Sequence, residues 1–238
     1  MFPSRSAEFL EERLEIARSE LADLCRASGR KPNTVQLLPV TKAVDAITTA
    51  TLYSMGEREF AENRADALVA KDEKLAARGM RPRWHFIGPL QRNKARRVVR
   101  VASVLHSVHS LALIETLERI ATEEDRTLDL YLQVHLSGDS NKQGFDLDQL
   151  DRAALQVTQA PHLRLLGLMT MGPLEDPDGS GTQRTFEQGF QLAQGLSNSP
   201  EIELVDGHCG LSMGMSQDLK WAVPNGSTLV RVGSALFR

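Results

Sequence analysis

The sequence predicts an α/β protein: a single (β/α)8 TIM barrel with an extra N-terminal helix and no C-terminal β-domain. Three observations predict it. Helix and strand patterns alternate along the whole chain, eight short apolar strands can be placed, and each is reached through a connection long enough for a parallel crossover. An open doubly wound sheet would stop at about five or six strands. With 238 residues, 41% hydrophobic and 25% charged, and no linker or shift of composition, residues 1–238 read as one domain.

Each element has a local cause. Residues 6–28 space Leu10, Leu14, Ala17, Leu21 and Leu24 three or four apart, an apolar stripe on one helix face that Gly29 ends. Residues 35–42, VQLLPVTK, form the first strand, in which Pro39 lacks a ladder donor and predicts a bulge or local irregularity. A helix from near Asp45 to Met55 follows, closed by Gly56. Then come strand 59–62, helix 64–78 closed by Gly79, and strand 83–88. A helix bearing Lys94, Arg96, Arg97 and Arg100 leads to strand 104–107, helix 111–124 and strand 128–134. Helix 146–158 and strand 163–169 precede a Gly/Pro/Asp-rich loop, 172–181, and helix 183–196. The last strands are placed at 203–208 and 228–232, with a short helix at 217–222 between them.

Composition excludes several classes. A net charge of −3 argues against nucleic-acid and membrane partners. There is no run of about 18 apolar residues, and the start, MFPSRSAEFLEERLE, is too charged for a signal peptide, so a soluble cytoplasmic protein is expected. Cys25 and Cys209 lack C-x-x-C spacing and are expected to be free thiols in a reducing compartment.

Barrels of this kind carry function on the loops after the strands. The first strand delivers Lys42, the second Asn63, the third Gly88 and Pro89, the fourth Ser107, and the sixth Met169 and Thr170. GLSMGMS at 210–216, with Ser212, Gly214 and Met215, reads as the loop after the seventh strand. RVGSA at 231–235 ends the eighth strand. These are the two places where such barrels hold a phosphate. Ser216 reads as the N-cap of the short helix, Arg231 as a charged donor, Gly233 as a permissive backbone position and Ser234 as a hydroxyl donor. A lysine at the rim of an apolar core is partly desolvated, which favours the free amine that attacks a carbonyl. Lys42 and two anion-binding loops on one rim make a phosphate-bearing aldehyde the economical ligand, and pyridoxal 5'-phosphate (PLP) is the common one.

Other residues carry blander readings. His85 and His106 read as hydrogen-bonded core histidines, and His208–Cys209 lacks partners at metal-ligand spacing, so no metal is expected. Arg92, Lys94, Arg96, Arg97 and Arg100 read as a solvated helix face, and Asp139, Ser140, Asn141 and Lys142 as a polar loop over the mouth.

Several ordered blocks resemble the PLP homeostasis proteins, a family whose barrel looks like the N-terminal domain of alanine racemase, the PLP fold type III architecture. They are LLPVTK (37–42), FAEN (60–63), WHFIGPLQRNK (84–94), HSV (106–108), LQV (132–134), GLMTM (167–171), LSMGMSQD (211–218) and STLVRVGSALF (227–237). The resemblance covers nearly the whole chain. The chain departs from the family's usual residues at Ala61, Arg64 and His135, where Gly, Tyr and Asn are usual. The resemblance implies that Lys42 is the Schiff-base lysine and that Arg231, Gly233, Ser234 and Ser212 with its neighbours surround the phosphate. It also implies a non-catalytic role in intracellular PLP (vitamin B6) and amino-acid homeostasis, with PLP-dependent apoenzymes as recipients and a monomer as the expected state.

Two catalytic readings compete. A PLP-dependent amino-acid racemase needs a base on each face of the substrate α-carbon, and alanine racemases set a tyrosine opposite the lysine. Here Tyr53 falls in an outer helix and Tyr131 in mid-strand. A class I aldolase of this architecture carries its lysine on the sixth strand, where this chain has Met169. A yellow protein would favour the first two readings over the third, and an assay with alanine would separate those two.

Overall fold

Eight parallel strands wound by helices form the centre of a computed structural model that describes residues 5–136 and 143–238. The expected loop residues Asp139, Ser140, Asn141 and Lys142 lie outside the described residues. The elements run α1 (Ala7–Ala27), β1 (Gln36–Pro39), α2 (Ala46–Ser54), β2 (Glu59–Glu62), α3 (Ala65–Ala76), β3 (Arg83–Phe86) and α4 (Ala95–Val99). They continue through β4 (Val104–Val108), α5 (Leu111–Glu123), β5 (Leu128–Gln133), α6 (Leu147–Thr158), β6 (Leu163–Met169) and α7 (Ser180–Ser197). The chain closes with β7 (Gly210–Met215), α8 (Leu219–Ala222), β8 (Leu229–Val232) and α9 (Ser234–Phe237).

Strand order is β1-β8-β7-β6-β5-β4-β3-β2, and the backbone bridge Val40–Ala61 joins the two ends and nearly closes the barrel. Pro39 lies on that seam for a physical reason. Gln36 and Val40 donate toward β8 while Thr41 donates to Ala61 of β2, so alternation turns the odd-numbered positions toward β2. Proline has no N–H to give there. β1 keeps an unbroken register with β8, so the irregularity expected at Pro39 falls on the other side, as a thinned seam.

Apolar residues fill two zones. The larger lies between the barrel wall and the helices, where Trp84, Phe60, Phe86 and Phe186 are buried. Inside the barrel are two small clusters, Leu38, Val40, Ala61 and Leu229, and Val104, Tyr131 and Met169, with polar side chains threaded between them. Helix α1 buries Leu10, Leu14, Ala17, Leu21 and Cys25, so Cys25 rather than Leu24 ends the expected stripe. Arg13 Nε donates to Ala235 O at 2.8 Å and Arg5 Nη2 to Phe237 O at 2.9 Å, tying α1 to α9.

The seventh strand corrects the sequence reading. Residues 203–208 contribute one bridge, Leu204–Leu165, and then turn at Gly207; the strand is Gly210–Met215, the stretch expected to be a loop. Gly210 of β7 and Gly167, its partner on β6, serve close approach between the two strands. A Cβ on Gly167 would fall 1.9 Å from the Gly210 carbonyl oxygen, and one on Gly210 would lie 3.0 Å from Leu166 O. Gly167→Ala should therefore lower stability by about 1–3 kcal/mol, the range for overpacking, as a reduced urea midpoint. A midpoint equal to the parent's would show that the strands separate freely there.

Two smaller corrections concern helix starts. Helix α7 begins at Ser180, inside the expected loop, because Asp176 accepts from the N–H groups of Gly181 (3.1 Å) and Thr182 (2.6 Å) and satisfies its first donors. Asp218, not Ser216, is the N-cap position of α8; it accepts from the Met215 N–H and tightens the β7–α8 turn.

Candidate functional site

Lys42 rides on the turn after β1, not on the strand, because pairing ends with the bridge at Val40. It is exposed, so the partial desolvation expected from the sequence is not present. The residue before it is fixed firmly. Thr41 Oγ1 donates to Glu62 Oε1 at 2.8 Å, Lys71 Nζ donates to Thr41 O at 2.6 Å, and Asp45 caps α2 by accepting from Thr48 N at 2.8 Å. The Lys42 amine has no hydrogen-bond or ion-pair partner among the described residues.

Lys42 opens onto a cavity of about 720 Å³, within the range of roughly 300–1,000 Å³ common for small-ligand sites. Five residues expected at the site line it: Lys42, Met215, Arg231, Gly233 and Ser234. Four others do not. Ser212 and Met169 are buried inside the barrel, Gly214 faces Ala222 and Leu219 of α8, and Asn63 sits half-buried after β2 with its carbonyl against Gly88. The sequence reading missed a wall of the cavity, formed by Met171–Asp176 after β6 with Thr182 and Trp221. The Gly/Pro/Asp-rich composition of 172–181 was the available signal, but it read as a separator.

The donor set suits an anion beside a reactive amine. Among the described residues, the main-chain N–H groups of Ser216, Gln217, Gly233 and Ser234 donate to no protein acceptor, and the first two sit in the β7–α8 turn while the others follow β8. Gly233 passes close to β1: a Cβ there would lie 3.3 Å from Val40 O. Ser216 and Ser234 add hydroxyls to the same wall.

Arg231 forms part of the floor and is largely engaged. Nη1 donates to Ser212 O (2.6 Å) and Ser212 Oγ (2.7 Å), and Nη2 to Thr170 O (3.2 Å), leaving part of its five-donor fork for a ligand. Burial lowers this guanidinium to about 10, opposed by Asp218, so it stays cationic at neutral pH.

Beneath Arg231 the expected core histidines are both buried and both hydrogen-bonded. Burial lowers His85, with Glu59 opposing it, and burial holds His106 well below the usual range, helped by the charges of His85 and Arg231. Burial alone would raise Glu59, but the hydrogen bond and charge of His85, then Gln36 and Arg83, bring it to about 2. These shifts predict acid lability. A histidine whose folded value lies below its unfolded one is protonated first in the unfolded chain. Stability is then full above about pH 6.5 and falls as pH drops toward the folded-state values. Glu59 acts in the same direction below the ordinary carboxylate value. The urea midpoint should be lower at pH 5 than at pH 7; equal midpoints would mean that the histidines titrate alike in the folded and unfolded chains, and a higher midpoint at pH 5 that they are charged in the folded protein.

The cationic helix face is paired rather than merely solvated: Arg96 and Arg100 meet Glu124, and Arg97 meets Asp66.

A nearly closed parallel barrel with a lysine and, among the described residues, unpaired main-chain donors at the C-terminal ends of its strands defines the class. The profile of the alanine racemase N-terminal domain matches residues 18–238. A Mycobacterium tuberculosis "Pyridoxal phosphate homeostasis protein" is 37% identical over 255 residues, covering 99% of this chain and 94% of the relative. An Escherichia coli protein of the same name is 34% identical over 231 residues, with 94% of each covered. The solved structure of PipY from Synechococcus elongatus with PLP bound superposes with a TM-score of 0.82 at 36% identity, covering 96% of this chain and 100% of that one. The chain belongs to the alanine racemase N-terminal domain family and, within it, to the pyridoxal phosphate homeostasis proteins.

Proposed function

We propose that the protein binds PLP in the Lys42 cavity and carries or buffers it, serving intracellular PLP and amino-acid homeostasis without efficient catalysis of its own. One observation carries the reading: a primary amine without a partner among the described residues shares a cavity of about 720 Å³ with main-chain N–H groups likewise unpaired there and a buried guanidinium. The donor set fits the group. PLP, when bound, supplies an aldehyde that condenses reversibly with a primary amine and a phosphate that accepts several hydrogen bonds.

The chain's own residues divide that work. Lys42 Nζ is the amine for the aldehyde. Ser216, Gln217, Gly233 and Ser234 present the donors for a phosphate, with Ser216 and Ser234 adding hydroxyls. Arg231 supplies fixed positive charge at the floor, held by Ser212, while Met169 packs below. Asn63 and Gly214 support the rim from behind, through Gly88 and through α8. The same reading has a cytoplasmic monomer handing PLP to PLP-dependent apoenzymes.

Arg231→Ala should weaken PLP binding by about 1.5–3 kcal/mol, the worth of a charge-assisted hydrogen bond, as a raised dissociation constant. An unchanged constant would remove Arg231 from the ligand's contacts.

The racemase reading lacks a tyrosine at the cavity. Of the chain's 2 tyrosines, Tyr131 is buried against His106 inside the barrel, where burial raises its phenol, and Tyr53 packs under Arg58 on α2. Neither lines the cavity. Loaded protein incubated with L-alanine should therefore produce no D-alanine at enzyme-like rates, of order 1–1,000 per second. Accumulation at such rates would replace the carrier with a racemase.

A further inference from the structure

An unbroken column of hydrogen bonds crosses the barrel interior from its N-terminal face to the cavity floor. Glu59 Oε2 lies 2.8 Å from His85 Nε2, His85 Nδ1 lies 2.8 Å from His106 Nε2, and His106 Nδ1 lies 2.8 Å from Ser212 Oγ, which accepts from Arg231 Nη1 at 2.7 Å. We propose that Glu59, on the face of the barrel away from the cavity, is a positioning residue for the cavity, because it sets the direction of every bond in this column and so holds the aim of Arg231.

The direction follows from donor and acceptor counts. An ionised carboxylate only accepts, so His85 Nε2 must carry the hydrogen. A neutral imidazole has one N–H, so His85 Nδ1 accepts and His106 Nε2 donates to it. His106 Nδ1 is then a lone pair, and the Ser212 hydroxyl must donate into it. That leaves Ser212 Oγ with lone pairs turned toward Arg231, whose guanidinium has donors only. Every link runs from Arg231 to Glu59, and no single link can reverse without reversing the rest. Burial of both histidines, which disfavours their charged forms, keeps the one-hydrogen rule in force at neutral pH.

The surroundings hold each end. At the N-terminal face, Gln36 of β1 donates to Glu59 Oε2 at 2.7 Å, and Arg83 of β3 bridges Glu59 and Asp129 of β5, which also accepts from Arg164 of β6 at 2.7 Å. The Tyr131 ring of β5 lies 4.6 Å from the His106 ring, and Asp218 acts on Arg231 from the α8 side. A proton added to His85 would turn its Nδ1 into a donor, reverse His106, and leave the Ser212 hydroxyl facing two donors at once. The effect on a ligand rests on the PLP reading above; the direction of the column does not.

The test is 15N NMR of histidine-labelled, ligand-free protein at pH 7, with Glu59→Gln and Ser212→Ala as variants and PLP affinity measured in parallel. The proposal expects His85 and His106 each in a single Nε2–H form. Glu59→Gln can offer either an oxygen or an amide hydrogen, so His106, two links away, should become a mixture of tautomers and PLP should bind several-fold more weakly. Ser212→Ala should leave both histidines in the Nε2–H form, because His85 Nδ1, ordered from Glu59, still requires the hydrogen of His106 Nε2. An Nδ1–H or charged His106 in the parent, or a Glu59→Gln protein with parental tautomers and parental PLP affinity, would overturn the proposal. If the parent shows the expected tautomers and binds no PLP, the ligand reading fails and the column stands. Glu59 is part-exposed at the face of the barrel, so the glutamine variant is expected to fold, and its far-ultraviolet circular dichroism checks that.

Discussion

Lys42→Ala should abolish the visible absorption band that PLP acquires on joining the protein, because that band needs an ε-amino group at the bound aldehyde. Of the chain's 7 lysines, Lys42 alone among the described residues lines the cavity. Lys71 is committed to Glu62 and Thr41 in a buried ion pair, and Lys220 lies over the Trp221 ring, 4.1 Å from its centre. The phosphate contacts proposed for Gly233, Ser234, Ser216 and Gln217 do not involve the amine, so the variant should still hold PLP, with lower affinity and the spectrum of the free aldehyde. The imine and phosphate contributions then become separable by comparing this variant with Arg231→Ala. A full-strength band in the alanine variant would move the reactive amine elsewhere.

The largest loss of stability is expected from Lys71→Ala. The Glu62 side chain is 0% exposed, and its Oε1 accepts from Lys71 and Thr41 while Oε2 has no protein partner among the described residues. Removing the ammonium leaves a buried carboxylate with one hydroxyl for company. Losing one member of a buried pair typically costs about 3–5 kcal/mol, far more than the pair contributes against an apolar replacement. The urea midpoint should fall accordingly, and pairing Lys71→Met with Glu62→Leu should recover much of the loss. The change also releases the Thr41 carbonyl, so the turn beneath Lys42 loosens and PLP binding should weaken. A loss below about 1 kcal/mol would mean that Glu62 reaches water once Lys71 is gone.

The alternation that made the barrel legible is local information. Apolar positions spaced three or four apart on α1 and short leucine-rich runs at β1 and β5 state their character within a few residues, and Asp45 and Gly56 mark their helix ends openly. β7 was hidden because its identity is set by neighbours. Gly210 and Gly214 look like turn residues until Gly167 and α8 are packed against them. The exposure of Lys42 was illegible for a related reason: pairing stops at Val40 because β2 meets β1 at one bridge. Arg231 was legible as a charged residue near the end of a strand. Its tie to Ser212 and Thr170, and the column through His106 and His85, exist only once strands far apart in sequence share the barrel interior. The Gly/Pro/Asp-rich composition around the cavity wall from Met171 to Asp176 is shared with plain connections and does not by itself mark a site.

The central claim is that Lys42 is the amine that holds PLP. Reducing the PLP-loaded protein with borohydride, digesting it and weighing the peptides tests that claim most directly. A pyridoxyl group on the peptide containing Lys42, and on no other, is the predicted result. A pyridoxyl group on Lys142, Lys220 or any lysine other than Lys42 would contradict it.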